Sequence, residues 1–365
     1  MKILHIHPSL NDGGIESMIN GLVNAQCADH DVTVCSIFEP KETNQFWTSI
    51  DSRVKRTTLH KTKEGFSLKE IWGIYNVIKN GKFDVVHVHG CFNYYFLSVI
   101  LLHSKVKFFY TVHSDAFMEN NRWEAKLLPL KRFCFKNKWL RPVTISGESQ
   151  KSFFNLYHCE SAMIPNGVPS KPLDEDFIKK INLSQYRETD NTKLLINVGR
   201  VDTPKNQIVL CRCVQRMIDQ GHDVVLLIAG PIARQDIYDE MSKYFSDRIV
   251  YLGAIIKARE YFSQCDVMVM PSIWEGLPVT LLEAMSVGCL PVCSPVGGIP
   301  NVVTPGKDGL LSKSSSEDDF TETLNAYFKL DEEKIKELRA EAVRTFENGY
   351  KISTTAKRYV DEYLK

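Results

Sequence analysis

PSIWEGLPVTLLEAMSVGCLPVCSPVGG, residues 271–298, is the stretch from which the rest of the chain can be read. An apolar run, DVMVM (266–270), leads into it and reads as a buried strand. A turn follows, then a helix that Pro278 can open as its first residue, because the first turn has no use for the N–H that proline lacks. Glu275 precedes Gly276 and Pro278 and so belongs to the loop. Glu283 falls about five residues into the helix, roughly 7–8 Å along its axis. Between the two carboxylates lies a helix N-terminus, whose N–H groups and macrodipole favour an anion. The SPVGG turn (294–298) follows the apolar run LPVCS and brings a second backbone segment to the same carboxyl edge, where open parallel sheets bind ligands. A ligand with phosphate in the middle and hydroxyls at both ends, such as a nucleotide-sugar, fits this arrangement. Taken singly, either glutamate also reads as an ordinary surface or helix residue.

Working outward, LLINVGR (194–200), DVVLLIAG (223–230), RIVYLG (248–253) and LPVCS (290–294) are further strand-like runs separated by helical patterns. In GRVDTPKN (199–206), Arg200 and Lys205 flank a turn after a strand, and Pro204 disfavours helix at the residue before it. Both cations can reach the strand edge, the Arg as a fork and the Lys as a compact charge, and together they read as an anion clamp or as structural ion pairs.

The first half repeats the plan. KILHIH (2–7), VTVCSIF (32–38), DVVHVHG (84–90), KFFYTVHS (107–114) and PVTIS (142–146) alternate with helical stretches, which argues for a mostly parallel sheet covered on both faces. Gly13 and Gly14 follow the first strand and leave a helix N-terminus approachable, although a two-glycine turn alone is weak and no GxGxxG or P-loop pattern is present. His89 and His113 both close a strand at the carboxyl edge, as structural residues or as functional ones. A polar, charged segment, 169–192, reads as an interdomain linker, and 333–365 is helical in pattern and expected to return to the first domain.

At 365 residues, 44% apolar and 24% charged, this is a globular chain with room for two cores. The net charge of +1 offers no general case for nucleic acid, and it divides as 20 Lys+Arg against 15 Asp+Glu over residues 1–170 and 25 against 29 beyond. Ten cysteines without a CxxC pair suit buried thiols in a reducing cytoplasm rather than disulfides or zinc. No leader pattern is visible at MKILHIHP, and FLSVILLH (96–103) is too short to span a bilayer. Residues 123–141 interleave Lys126, Lys131, Arg132, Lys136, Lys138 and Arg141 with Trp123, Phe133, Phe135 and Trp139. That mixture suits an anionic leaflet or single-stranded nucleic acid, and equally a solvated helix face backed by core aromatics. The acidic runs 174–176 and 317–319 are assigned to no metal.

In order along the chain, NDGGIE, DVVHVHG, TVHS, VTISG, IPNGV, NVGRVDTPKN, CDVMVMPS, EGLPVTLLEAM, SPVGGIP and DGLL form a succession. It resembles the retaining GT-B glycosyltransferases of glycosyltransferase family 4. One departure is Asn301, where many relatives carry an acid after the GG-x-P segment. The resemblance implies an α/β, GT-B architecture: two Rossmann-like domains whose parallel sheets face a central cleft. It places them at 1–168, joined by a C-terminal helix from about 347, and at 193–346. It implies that His113, Glu275, Arg200 and Lys205 serve catalysis. Gly13, Gly14, Gly276, Leu277, Pro278, Val279, Thr280 and Glu283 complete the donor site, with Glu283 on the ribose and the base near residues 230 and 253. The expected donor is a UDP-sugar, with no resident cofactor and no metal. The acceptor is a glycan or lipid-linked hydroxyl in surface polysaccharide synthesis, met in the cytoplasm at the inner membrane face through 123–141, and no nucleic acid is involved. A nucleotide-sugar 2-epimerase of the same architecture and a non-catalytic nucleotide-sugar binder are the competing readings, and the EGLPVTLLEAM and GRVDTPKN motifs favour the transferase.

Overall fold

The computed structural model describes residues 1–10, 13–40, 44–63, 65, 67–119 and 122–365. Asn11 and Asp12 of the NDGGIE segment therefore lie outside the described residues, as does the side chain of Trp123. The chain divides into two compact units, Met1–Pro169 with Lys351–Lys365, and Ser170–Tyr350.

Among the described residues the first unit holds a seven-stranded sheet of β1 (Lys2–His7), β2 (Asp31–Phe38), β3 (Lys55–Lys61), β4 (Val85–His89), β5 (Lys107–Val112), β6 (Arg141–Thr144) and β7 (Ala162–Met163). Their spatial order is β3-β2-β1-β4-β5-β6-β7 and every pairing is parallel. The run KRTTLHK is too polar to announce a strand, and it forms β3 at the sheet edge, where Lys and Arg discourage further pairing. Period-2 alternation sends Leu4, Ile6, Val86 and Val88 into one apolar core. It turns His5, His7, His87 and His89 to the opposite face, and the parallel register pairs His5 with His87.

The second unit holds a six-stranded parallel sheet of β8 (Lys193–Val198), β9 (Val224–Ala229), β10 (Ile249–Gly253), β11 (Val267–Met270), β12 (Leu290–Cys293) and β13 (Leu310–Leu311). The order is β10-β9-β8-β11-β12-β13. All six residues of β9 are buried, as expected of a strand covered by helices on both faces. The helix Gln207–Asp219 buries Leu210, Cys211, Val214 and Met217, one apolar stripe at helical spacing, against this sheet. In both sheets the strand order reverses beside the first strand, between β1 and β4 and again between β8 and β11, which opens a crevice at the carboxyl ends of those pairs.

Two boundaries differ from the composition-based reading. Residues 170–192 are not a bare linker: they carry the helix Glu175–Ile181 and the 3-10 turn Leu183–Tyr186 and belong to the second unit. Two of their charges tie the segment to the rest of that unit, Asp174 to Lys257 at 2.5 Å and Arg187 to Asp266 at 2.8 Å. The C-terminal stretch splits. Glu332–Gly349 packs in the second unit through Ile335, Leu338, Ala342 and Phe346, and Ile352–Leu364 returns to the first.

Candidate functional site

In the second unit the loops leaving β8 and β11 are tied together. Asp202 accepts the Thr203 N–H at 2.8 Å and starts a 3-10 turn, Thr203–Lys205, that runs through Pro204 itself. Asn206, at φ +58°, donates from Nδ2 to the carbonyls of Pro271 and Ser315, both at 3.0 Å, and the Ile273 N–H reaches the Pro204 carbonyl at 2.9 Å. This stitching brings Lys205 Nζ to 2.6 Å from Glu275 Oε1, and Ser272 Oγ donates to the same oxygen at 2.7 Å. Glu275 is on the loop but is not an exposed carboxylate: it is buried and carries an ion pair. Arg200 has its side chain 63% exposed, its guanidinium 3.8 Å from Asp202, and is the less constrained of the two cations.

The 294–298 turn closes on this loop. Gly297 has φ +58°, and a Cβ there would stand 1.9 Å from the Glu275 carbonyl oxygen, so only glycine fits. The Gly298 N–H donates to the Gly276 carbonyl, and Ser294 Oγ donates to the Ser272 carbonyl. Gly230 does the same service at the end of β9, where a Cβ would meet the Gly199 carbonyl at 2.0 Å. The helix begins at Val279, not Pro278: Pro278 is its cap, with an extended ψ of 123°. Neither a capping side chain nor an acidic residue occupies the first turn, so Val279 and Thr280 open a helix N-terminus that side chains leave unfilled. Leu277 and Val279 are buried beneath it.

Glu283 is the fifth residue of this helix. Burial pushes its carboxyl up to about 7, a shift that Arg259 opposes and Glu260 reinforces.

In the first unit Gly13 caps the helix Gly14–Gln26 with extended backbone and no side chain. His89 and His113 are buried rather than presented at an open edge, and their Nδ1 and Nε2 atoms lie 3.0 Å apart. The His113 backbone N–H donates to Glu119 Oε1 at 2.6 Å, which holds the loop after β5. Its own Nδ1 is buried without a partner. Two histidines that sequence reasoning passed over, His5 and His87, join the cluster. His5 meets His89 at 3.2 Å and Gln26 Oε1 at 2.7 Å, while His87 meets the Tyr363 hydroxyl at 2.6 Å and Thr111 Oγ1 at 2.7 Å. Burial lowers His5 and His7 to about 4 and His113 to about 3, and His87 and His89 also fall well below the usual imidazole range. The signal was the H-x-H doublet on β1 and again on β4, which parallel register turns to one face.

His5, His87 and His89 are close enough to suggest a metal centre, with nitrogens within 4.8 Å of one another. Their geometry speaks against it. The His87 and His89 rings lie 4.2 Å apart, tilted by 34°, and both nitrogens of His87 are engaged by hydroxyls. The nitrogens of these three rings are already turned to Gln26, Thr111, Tyr363, His113 and one another.

Within 123–141, Lys131 is not a surface cation. It is fully buried, 3.4 Å from Glu124 and 3.1 Å from the Tyr110 hydroxyl, and lies over the Tyr110 ring. Phe135 is buried too, whereas Lys126, Arg132, Phe133, Lys136 and Lys138 are exposed. No helix among the described residues is long and apolar enough to cross a membrane.

Comparison with known proteins covers both units. Residues 12–171 match the family model described as Glycosyltransferase Family 4, and residues 179–345 match Glycosyl transferases group 1. The chain is 25% identical over 315 residues to the Escherichia coli UDP-Gal:alpha-D-GlcNAc-diphosphoundecaprenol alpha-1,3-galactosyltransferase, covering 81% of this chain and 79% of that one. It is 22% identical over 321 residues to the Campylobacter jejuni GalNAc-alpha-(1->4)-GalNAc-alpha-(1->3)-diNAcBac-PP-undecaprenol alpha-1,4-N-acetyl-D-galactosaminyltransferase, covering 85% and 84%. The solved structure of Anabaena Alr3699/HepE in complex with UDP and glucose superposes with a TM-score of 0.79 at 16% identity, over 100% of both chains, a likeness of fold.

Proposed function

The chain belongs to the glycosyltransferases of family 4 type with the GT-B fold, and from that membership we propose the reaction it performs. It transfers a hexosyl or N-acetylhexosaminyl group from a nucleotide-sugar, a UDP-sugar in the simplest reading, to a hydroxyl of a glycan or lipid-linked acceptor. The anomeric configuration is retained, and the reaction serves surface polysaccharide synthesis at the cytoplasmic face of the membrane. The observation that carries this reading is the Lys205–Glu275 ion pair, set beside the uncapped N-terminus of Val279–Ser286 at the switch point between β8 and β11.

In this reading the diphosphate lies against the first-turn N–H groups of Val279 and Thr280, with Gly276, Leu277 and Pro278 shaping the approach, and with Lys205 and Arg200 as counter-charges. Glu275, already holding Lys205 at 2.6 Å, keeps that cation aimed while its carboxylate accepts sugar hydroxyls. Glu283 takes the ribose hydroxyls, His113 the donor sugar, and Gly13 and Gly14 allow close backbone approach. As the glycosidic bond to phosphate breaks, the sugar becomes oxocarbenium-like and negative charge grows on the departing diphosphate. Fixed cations and helix N–H groups favour that state over the bound substrate, and they supply without a divalent ion the charge that one would provide. The acceptor hydroxyl attacks from the face the diphosphate leaves, and the leaving phosphate takes its proton. Resemblance to the two undecaprenol-linked transferases supports a lipid-linked acceptor. The exposed Arg132, Phe133, Lys136 and Lys138 support a peripheral contact with an anionic leaflet.

A thermal-shift series with UDP-, GDP- and ADP-sugars, with and without EDTA, tests the donor. Stabilisation by one base series that EDTA leaves unchanged is the expected result. A shift with none of them would overturn the donor site, and a shift abolished by EDTA would overturn the metal-free clamp.

A further inference from the structure

The polar face of the first sheet carries a continuous line of hydrogen-bonding groups. It runs from Gln26 Oε1 to His5 Nε2, from His5 Nδ1 to His89 Nε2, and from His89 Nδ1 to His113 Nε2, at 2.7, 3.2 and 3.0 Å. Every ring in the line is buried and neutral. A neutral imidazole carries one N–H and one bare nitrogen, so each link dictates the next. An amide oxygen only accepts. With Gln26 Oε1 at one end, His5 must donate from Nε2, which leaves its Nδ1 bare. His89 must then donate from Nε2, and His113 after it.

We propose that Gln26, His5 and His89 are positioning residues that lock His113 into one tautomer, with the proton on Nε2 and the lone pair on Nδ1. The free end of the line fits this assignment. Of the ring nitrogens of His5, His89 and His113, only His113 Nδ1 is left unpartnered, and it is buried, so a bare acceptor is held ready there. At the other end of the line the Gln26 amide nitrogen is likewise buried without a hydrogen-bond partner, and Gln26 influences the Tyr363 hydroxyl that is bonded to His87. Resting on the reading of His113 as a donor-sugar contact, the lock means that His113 accepts a hydrogen bond from a sugar hydroxyl and does not donate one. Gln26 therefore tunes a substrate contact three links away, without touching the ligand.

The test reads protons directly and needs no substrate. In protein labelled with 15N-histidine, long-range 1H–15N correlation distinguishes the protonated from the bare ring nitrogen, and His113→Asn identifies the signal. The expected result is His113 protonated on Nε2 in the unmodified protein. Gln26→Leu, which deletes the terminal acceptor with little change in volume, should populate both tautomers of His113. Protonation on Nδ1 in the unmodified protein would overturn the proposal, as would an unchanged tautomer in a folded Gln26→Leu protein. Turnover of His113→Ala separates the underlying reading. Unimpaired turnover beside a locked tautomer would overturn the sugar contact and uphold the lock.

Discussion

At the carboxyl edge of the second sheet, Lys205 and Glu275 meet as full charges, with Arg200 exposed beside them. On the polar face of the first, His5, His87, His89 and His113 are neutral, buried and satisfied mainly by one another and by hydroxyls. Both clusters sit by the strand reversal of their own unit. Under the proposed function the difference lies in what each would have to do. A site for a diphosphate needs counter-charge that can be shared with the ligand, so the cation is held by one strong partner and not sealed in. A site that orients a neutral hydroxyl needs direction rather than charge, and burial supplies it by keeping imidazoles uncharged. Polar groups at equivalent places in two similar sheets therefore follow opposite electrostatic rules.

The strongest way to break this contrast is to remove the charge. Lys205→Ala should lower kcat by roughly 10²–10³-fold, about 3–4 kcal/mol of transition-state stabilisation, by analogy with losing one oxyanion donor. Arg200→Ala should cost about 2 kcal/mol, since its side chain is less constrained. Steady-state kinetics on the identified donor check both, and near-normal turnover would remove the clamp. Protonation tests the other cluster. The buried histidines ionise below their unfolded value of 6.5, so the unfolded chain binds protons first. Their contribution to stability is full above about pH 6.5 and is lost as pH falls toward 4, by about 3 kcal/mol for an imidazole such as His5. Denaturant unfolding across that range should show the slope, and His5→Gln should flatten it.

Glu283 sharpens the comparison because its sign is reversed. Its folded value, about 7, lies above its unfolded one of 4.5, so the folded state is penalised as pH rises from 4.5 through 7, and the penalty is constant beyond. Glu283→Gln should raise stability at pH 8 by about 1–3 kcal/mol and leave it unchanged at pH 4, while weakening donor binding through the ribose. The smallest effect is expected at the surface. Reversing Arg132, Lys136 and Lys138 together should weaken co-sedimentation with phosphatidylserine vesicles at low salt by about 1 kcal/mol per charge. Binding unaffected by the reversal would exclude this face.

Much of this architecture is legible in the linear chain because parallel strands announce themselves. DVMVM, LPVCS and VVLLIA are continuous apolar runs, and strands covered on both faces require nothing else. The loop position of Glu275 followed from Gly276 and Pro278. Its pairing did not, because Lys205 is 70 residues away and only the stitching of two loops brings it to Ser272 and Glu275. The basic run 123–141 misled at Lys131, whose charge is matched by Glu124 seven positions earlier. Charge patterning counts cations, and it cannot say which one turns inward. The polarity of 170–192 is mostly solvated, but Asp174, Arg187 and Glu188 form ion pairs with the rest of the second unit that composition does not announce.

The helix Ile352–Leu364 carries a consequence for how the molecule is made. Its Tyr363 completes His87, 276 residues upstream, and its Tyr359 meets Thr111. On the ribosome the first unit thus emerges without the Tyr359 and Tyr363 that complete its histidine face, and it waits through the synthesis of the whole second unit for the helix that carries them. Until then, buried-to-be imidazoles stay wet and able to take protons. The second unit needs no such late piece and can mature first. Vectorial synthesis and order of completion are reversed.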